Sequence, residues 1–316
     1  MLLHIALLII GLFILIYGAN LLVDGGSALA HRLKVSAMVI GLTIVAFGTS
    51  APELVVNLVS AMKGNSAIAL GNIIGSNIFN IFAILGISAL IVPLHVNKMT
   101  TWVEVPLALF AAILLLLLTD NSPTHLLSRA EGISLLCLFG IFILYTFALA
   151  KYGGAGNGEE VTIKNYSIGK SCIFILLGLA GLIIGGRMLV YGAVHIAQNI
   201  GISERIIGLT IVSIGTSLPE LATSIIAARK NNADIAIGNV VGSNIFNTFL
   251  ILGATATITP LDIPQGSSTD LLVNITASAL LFLFIFTGNG RKINRWEGFI
   301  FLLSYLVYLL FILFHT

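Results

Sequence analysis

Apolar residues run along this chain in long blocks separated by short polar stretches, and the blocks are continuous rather than alternating. Alternation over short strands would point to a membrane β-barrel. Continuous apolar runs of roughly 17–25 residues instead read as membrane-spanning helices. Ten such blocks are present, at about 2–30, 35–62, 66–92, 102–119, 130–150, 168–199, 203–228, 233–259, 269–288 and 296–314. The pattern therefore predicts an all-α integral membrane protein of ten transmembrane helices. The opening "MLLHIALLIIGLFILIYGAN" lacks a basic leader and is longer than a typical signal core, so it reads as a retained first helix.

Composition agrees with the pattern. Of 316 residues 58% are hydrophobic and 9% charged, where soluble domains carry about 25% charged residues. Cys137 and Cys172 both fall in apolar blocks and read as buried free thiols. A net charge of +2 gives no reason to expect a nucleic-acid partner. Its distribution is more useful. With ten helices threaded in order, one side collects Arg32, Lys34, Lys98, Lys151, Lys164, Lys170, Arg229, Lys230, Arg291, Lys292 and Arg295, and the other only Lys63, Arg129 and Arg205. The basic side is cytoplasmic by the positive-inside rule. A multi-pass protein of the cell membrane with both termini away from the cytoplasm is expected. Trp102 and Trp296, at helix starts, read as interfacial anchors, and Arg187 and His195 as facing the outer interface.

The chain also repeats itself. "GLTIVAFGTSAPEL" at 41–54 matches "GLTIVSIGTSLPEL" at 208–221 at 11 of 14 positions, and "GNIIGSNIFNIFAILG" at 71–86 matches "GNVVGSNIFNTFLILG" at 238–253 at 12 of 16. The offset is 167 residues in both blocks, and it holds at Pro93 and Pro260, at Gly18 and Gly185, and at Gly25 and Gly192. Residues 1–150 and 167–316 thus form two five-helix repeats, with motifs at 41–86 and 208–253, joined by a short cytoplasmic linker at 151–166. Five is odd, so the halves enter the membrane with opposite polarity. Inverted-topology repeats of this kind place a transporter's substrate site near the midplane, between the repeats.

The repeated motifs carry the chemistry. Glu53 is the only ionisable residue between Val35 and Met62, and Glu220 the only one between Ile206 and Ala228. An intramembrane carboxylate is costly and marks a functional site by default. Pro52 and Pro219 lack an N–H and crowd the preceding turn, so unwinding and free carbonyls are expected around Ala46–Gly48 and Ser213–Gly215. Thr49 and Glu53, like Thr216 and Glu220, are four residues apart and share a helix face. Asn72, Ser76 and Asn80 recur at the same spacing on the third helix, and Asn239, Ser243 and Asn247 on the eighth. Carboxylates, hydroxyls, amide oxygens and carbonyls make an all-oxygen donor set, which suits hard cations such as Ca²⁺. Cys and His are absent from the motifs, which argues against Zn²⁺ or Cu⁺. Two carboxylates balance one Ca²⁺ or two Na⁺, and a third Na⁺ would make exchange electrogenic.

"GTSAPE…GNIIGSNIFN" and "GTSLPE…GNVVGSNIFN" resemble the two α-repeats of the sodium/calcium exchangers, within the cation/calcium antiporter superfamily. The resemblance covers essentially the whole chain. It implies alternating access, with Na⁺ and Ca²⁺ taking turns in overlapping sites between the second, third, seventh and eighth helices. It implies ligands at Thr49, Ser50, Glu53, Ser76 and Asn80, at Thr216, Ser217, Glu220, Ser243 and Asn247, and at the carbonyls of Ala46 and Ser213. It also implies long first and sixth helices that slide across this core. Several relatives have Asp where this chain has Asn80 or Asn247. Asn247 argues against K⁺ co-transport. The linker is far shorter than the regulatory insert of animal exchangers, and Glu159 and Glu160 read as a solvated pair.

Other readings remain open at this stage. A proton/calcium exchanger would use the same scaffold, and a channel would conduct Ca²⁺ without a counter-ion. An intramembrane hydrolase is the enzyme alternative, but the motif offers its serine no histidine base, so no catalytic residue is expected. No cofactor and no obligate protein partner are expected, and a monomer in the lipid bilayer suffices. Asp24, near the cytoplasmic end of the first helix, is expected to reach the interface or pair with Arg32 or Lys34.

Overall fold

A computed structural model describes residues 2–120, 126–152, 164–199, 213–264, 266–288 and 290–315. The helices are α1 (Leu2–Leu33), α2 (Ala37–Thr49), α3 (Ala51–Met62), α4 (Ser66–Ile91), α5 (Thr100–Asp120), α6 (Arg129–Tyr152), α7 (Ile168–Asn199), α8 (Ser213–Thr216), α9 (Leu218–Arg229), α10 (Ala233–Ile258), α11 (Ser267–Phe284) and α12 (Arg295–His315). Among the described residues, eight are long and apolar enough to cross a membrane, and α2 with α3, bent by 44°, makes a ninth span. The protein is a multi-pass helical membrane protein. The start of the expected seventh span, with Arg205, lies outside the described residues, as do Glu159 and Glu160.

Burial separates core helices from peripheral ones. In their most apolar windows α4 is 83% and α10 94% buried, against 17% for α6 and α12. The peripheral helices turn Ile141, Leu144, Phe147 and Phe314 outward. That much exposed apolar surface marks a lipid-facing shell. Cys137 and Cys172 are free as expected but exposed rather than buried, because both fall on the outward faces of α6 and α7. Trp102 and Trp296 are also exposed, at the starts of α5 and α12.

α1 and α7 pack along their length through glycines. Gly11, Gly18 and Gly25 recur every seven residues on α1, and Gly178, Gly185 and Gly192 on α7. A Cβ at Gly18 would lie 2.8 Å from the Gly178 carbonyl oxygen, and one at Gly185 2.6 Å from the Leu15 amide. Backbone therefore meets backbone, the close approach that small residues permit. Gly11 lies against Gly185, Gly18 against Gly178 and Gly25 against Ser171, so the two helices run antiparallel.

Two small clips, unforeseen in the hydrophobic pattern, tie the halves together. β1 (Leu94–His95) pairs antiparallel with β4 (Lys292–Ile293), and β2 (Leu126–Leu127) with β3 (Leu261–Asp262). Each clip joins two loops that the ten-helix threading puts on one side of the membrane. Strands of two residues lie too short for a period-two pattern to register.

The Asp24 expectation is corrected. Its carboxylate pairs with Lys164 and Lys230, each at 2.8 Å, rather than with Arg32 or Lys34. Lys230 also donates to the Asn20 carbonyl (3.3 Å), Asn232 to the Ser27 hydroxyl (2.9 Å), and Arg32 to the Tyr166 carbonyl (2.9 Å). Arg32 and Lys34 lie past Asp24 at the end of α1, whereas the α9–α10 turn packs beside it. At the other end of the pair His195 stacks on the His4 ring, 4.6 Å between centroids.

Candidate cation site

The break in the first motif falls at Ser50 (φ −82°, ψ 5°), and in the second at Ser217 (φ −89°, ψ 8°). The prolines follow as the second residues of α3 and α9. There a helix needs no N–H, so proline starts the new helix rather than kinking an old one. The Ala46 carbonyl accordingly keeps the Ser50 N–H as partner (3.0 Å) and also accepts from the Thr49 hydroxyl (3.3 Å), instead of being released. In the second motif the described residues resume at Ser213, within α8. A glycine stands two residues before each break, where a side chain would meet one from α7. A Cβ at Gly48 would fall 2.3 Å from Leu179, and one at Gly215 2.4 Å from Val190. Both obstacles stand on α7, which lies across both breaks.

Ser50 and Ser217 occupy N-cap positions, yet neither side chain caps its own helix. Each hydroxyl crosses to the other half. Ser50 donates to Glu220 Oε1 (2.9 Å) and lies 3.0 Å from Ser243 Oγ. Ser217 donates to Glu53 Oε1 (3.0 Å) and lies 3.0 Å from Ser76 Oγ. Under the 167-residue offset these two sets are the same contacts with the halves exchanged. The positive ends of the α3 and α9 dipoles also favour a carboxylate in the first turn, where Glu53 and Glu220 sit.

Four oxygens are left over. Glu53 Oε2, Glu220 Oε2, Asn80 Oδ1 and Asn247 Oδ1 are buried and have no hydrogen-bond partner among the described residues. The two glutamates and two asparagines are each 1% exposed. An unpaired buried acceptor costs about 1–3 kcal/mol, and such groups in native folds call for an explanation, an ion among them. No cationic side chain among the described residues supplies it. Among the described residues the ion pairs are those of Asp24 with Lys164 and Lys230. The amide nitrogens of the two asparagines are occupied: Asn80 Nδ2 donates to Asn244 Oδ1 (2.9 Å) and Asn247 Nδ2 to Asn77 Oδ1 (3.0 Å).

The fold thus brings Ser50, Glu53, Ser76 and Asn80 together with Ser217, Glu220, Ser243 and Asn247 in one buried polar cluster. Thr49 and Thr216 turn to Asn239 Oδ1 (3.0 Å) and Asn72 Oδ1 (3.3 Å). Asn239 also donates to the Glu220 carbonyl (3.2 Å) and Ser224 (3.0 Å), as interhelical glue. Two residues at the cluster were missed in the sequence, Asn77 and Asn244. Their signal was available, since they are identical at the 167-residue offset within "GSNIFN". They stand outside the i, i+4, i+8 series of Asn72, Ser76 and Asn80 and its copy on the eighth helix. Immediately after them, Asn80–Leu85 and Phe246–Leu252 wind as π-helical turns, a feature frequent at functional sites.

The chain matches the family described as "Sodium/calcium exchanger protein" over residues 3–148 and 170–314. It is 39% identical to "Putative antiporter CaxA" of Alkalimonas amylolytica, covering 95% of each chain. It is 32% identical to "Sodium/calcium exchanger MaX1" of Methanosarcina acetivorans, covering 96% of each. Among solved structures it is similar to the sodium-calcium exchanger NCX_Mj soaked with 10 mM Na⁺ and zero Ca²⁺. The TM-score is 0.82 at 34% identity, with 97% of each chain covered.

Proposed function

This chain belongs to the sodium/calcium exchanger family, and from that premise we propose that it exchanges Na⁺ for Ca²⁺ across the cell membrane by alternating access. The family is one of transporters, and the coarser description, a cation/Ca²⁺ antiporter, rests on the family itself. The finer reading rests above all on one observation: four buried oxygens of the cluster without partners among the described residues, two carboxylate and two amide, contributed equally by the two repeats.

In this reading Glu53 and Glu220 supply the charge that neutralises the cation. Ser50, Ser76, Asn80, Ser217, Ser243 and Asn247 supply neutral oxygens, with Thr49, Thr216 and the Ser213 carbonyl completing the set, while the Ala46 carbonyl, already holding Ser50 and Thr49, would have to give up the Thr49 bond to join them. Two carboxylates match one Ca²⁺ or two Na⁺. Binding a third Na⁺ leaves one positive charge uncompensated, so a cycle moving three Na⁺ per Ca²⁺ carries current. Ten helices in two inverted repeats, with both termini outside, account for the reciprocal contacts. The equivalent helices α1 and α7 running antiparallel support the inversion, as do the clips between loops on a common side.

Calcium uptake into Na⁺-loaded proteoliposomes tests the reading. Uptake should require the outward Na⁺ gradient, generate a membrane potential, and disappear in Glu53→Gln and Glu220→Gln. Uptake driven instead by a pH gradient would identify H⁺ as the coupling ion. Gradient-independent flux, or full activity in either variant, would sink the antiport assignment of these residues.

A further inference from the structure

A second pair of carboxylates lies outside the cage, where α5, α6 and α10 meet. Thr100–Glu104, the first turn of α5, winds as a π-helix, and both of its end residues are at most 1% exposed. Glu104 Oε1 accepts from the Tyr145 hydroxyl of α6 (2.5 Å). Glu104 Oε2 has no hydrogen-bond partner among the described residues. The Thr100 hydroxyl lies beside the same carboxylate and makes no well-formed hydrogen bond either. Asp234, in the first turn of α10, stands close enough for the two carboxylates to repel each other.

A structural role explains only part of this arrangement. An aspartate favours the N-terminus of a helix, and Asp234 Oδ1 accepts from Asn97 Nδ2 (3.2 Å), whose own Oδ1 accepts from the Thr100 N–H (2.9 Å). Those bonds frame the start of α5 and leave Glu104 Oε2 and Thr100 Oγ1 unaccounted for. The other repeat shows that the fold needs no acidic group here. At the 167-residue offset Glu104, Tyr145 and Asp234 become Leu271, Ile312 and Ala67, and Leu271 is buried as fully as Glu104. The ion pairs among the described residues are those of Asp24, so no basic side chain of theirs pairs with either carboxylate. A buried acidic pair of this kind calls for a cation from outside the chain.

We propose that Glu104, Thr100 and Asp234 form a second cation site, separate from the cage, that takes a divalent ion with oxygen ligands such as Ca²⁺. Two carboxylates balance a double charge, and carboxylate, hydroxyl and water oxygens are ligands that Ca²⁺ accepts in flexible geometry. Glu104 and Thr100 are closed off, whereas Asp234 and Asn97 are half-buried, so the ion enters past these two and keeps water on their side. Ser243 of the cage stands nine residues further along α10, about 14 Å at 1.5 Å per residue. The two sites share no ligand and can be filled together. The second ion joins α5 and α6 to the start of the helix that carries Asn239, Ser243 and Asn247. That end of α10 also packs on α2, where a Cβ at Gly41 would lie 3.2 Å from the Asp234 carbonyl oxygen.

The test reads Ca²⁺ binding to the purified full-length protein by calorimetric titration in Na⁺-free buffer at neutral pH, with melting temperature alongside. Glu53→Gln/Glu220→Gln, which disables the cage, should still bind one Ca²⁺ and still melt higher when Ca²⁺ is added, since an ion held by the folded state stabilises it. Adding Glu104→Gln or Asp234→Asn to that variant should weaken the remaining binding by about tenfold or more, one of two opposing charges being gone. Asp270→Asn, at a half-buried carboxylate paired with the Tyr308 hydroxyl (2.9 Å), should leave it unchanged. In the otherwise unaltered protein Glu104→Gln should remove one of two bound Ca²⁺ and spare the one that Na⁺ displaces, which decides the matter should the cage variant fail to fold. A merely structural Glu104 would instead lower the melting temperature of Glu104→Gln equally with and without Ca²⁺. That result, loss of all Ca²⁺ binding in Glu53→Gln/Glu220→Gln, or equal weakening by Asp270→Asn overturns the proposal. So does a melting temperature that follows pH and ignores Ca²⁺, the mark of a proton shared by the pair. Absence of the Na⁺-displaceable ion with the second ion retained would support this site and count against the antiport reading.

Discussion

A serine at a helix N-cap ordinarily bonds the backbone of its own helix. Ser50 and Ser217 forgo that bond to reach the carboxylate of the other repeat. Their energetic partners are therefore 170 and 164 residues away rather than three. Ser50→Ala should behave non-additively with Glu220→Gln in unfolding temperature, since neighbours in one network couple by about 0.5–3 kcal/mol. It should add simply with Glu53→Gln, on its own segment, with which it shares no hydrogen bond among the described residues. Additivity in both cycles would mean the crossed bonds carry no energy. At this scale the sequence was informative because the motif occurs twice. Glu53, Glu220 and their oxygen-bearing neighbours stand out against apolar surroundings. What one-dimensional spacing hid was direction: nothing in "GTSAPE" says that its serine serves the other copy, or that Asn77 and Asn244 orient the amides beside them.

Among elements, the paired helices α1 and α7 depend on having no side chain between them. Gly18→Leu would force a side chain into a gap whose nearest atom, already 2.8 Å from the first carbon, is backbone. Overpacking of this kind costs about 1–3 kcal/mol, so the variant should melt earlier and lose transport. Gly140→Leu, on α6 with open space beside it, should do neither. Equal melting of the two variants would mean the glycines are incidental. The seven-residue spacing of these glycines is visible in the chain, and their shared offset of 167 identifies the partners. The π-helical turns are another matter. Asn80–Leu85 and Phe246–Leu252 are mostly apolar, with Asn80, Asn247 and Thr248 among them, and nothing in their local sequence marks the wider winding. The helix break was legible as to place within two residues. Its mechanism was not, because a proline just inside a new helix and a proline kinking a continuous one share the same letters.

For the molecule as a whole, reciprocity has limits. The crossed serines and the two strand clips repeat when the halves are exchanged, but the ties of α1 do not. Asp24 on α1 holds Lys230 at the α9–α10 turn and Lys164 in the linker. Its equivalent on α7 is Tyr191, which packs on His195 instead. The Lys230 pair is the more buried of the two, with 30% of its side chain exposed against 56% for Lys164, so it carries more of the attachment. Hydrogen bonding to Asp24 raises the Lys164 pKa above its ordinary 10.5. That part of the tie is fully present below pH 10.5 and fades as pH rises through the higher folded value. Asp24→Asn should release the C-terminal half of α1. Cysteines placed on α1 and on the α9–α10 turn would then report a wider distance distribution by spin-label spectroscopy, and Lys164→Met a smaller change than Lys230→Met. Unchanged distances in Asp24→Asn would show that packing alone holds the helix.

The ion-pair node at Asp24 also bears on how the protein would run. A cycle between two mirror-image states would have equal resting populations and identical half-saturation from either face. A tie at Asp24 that its equivalent Tyr191 does not make would tilt that balance before any ion binds. The same two-carboxylate cage then presents different apparent affinities to the two sides, as does any ligand whose competent state is only partly populated. Rectification in such a device would come from one aspartate placed where its twin position holds a tyrosine, with both carboxylates of the cage unchanged.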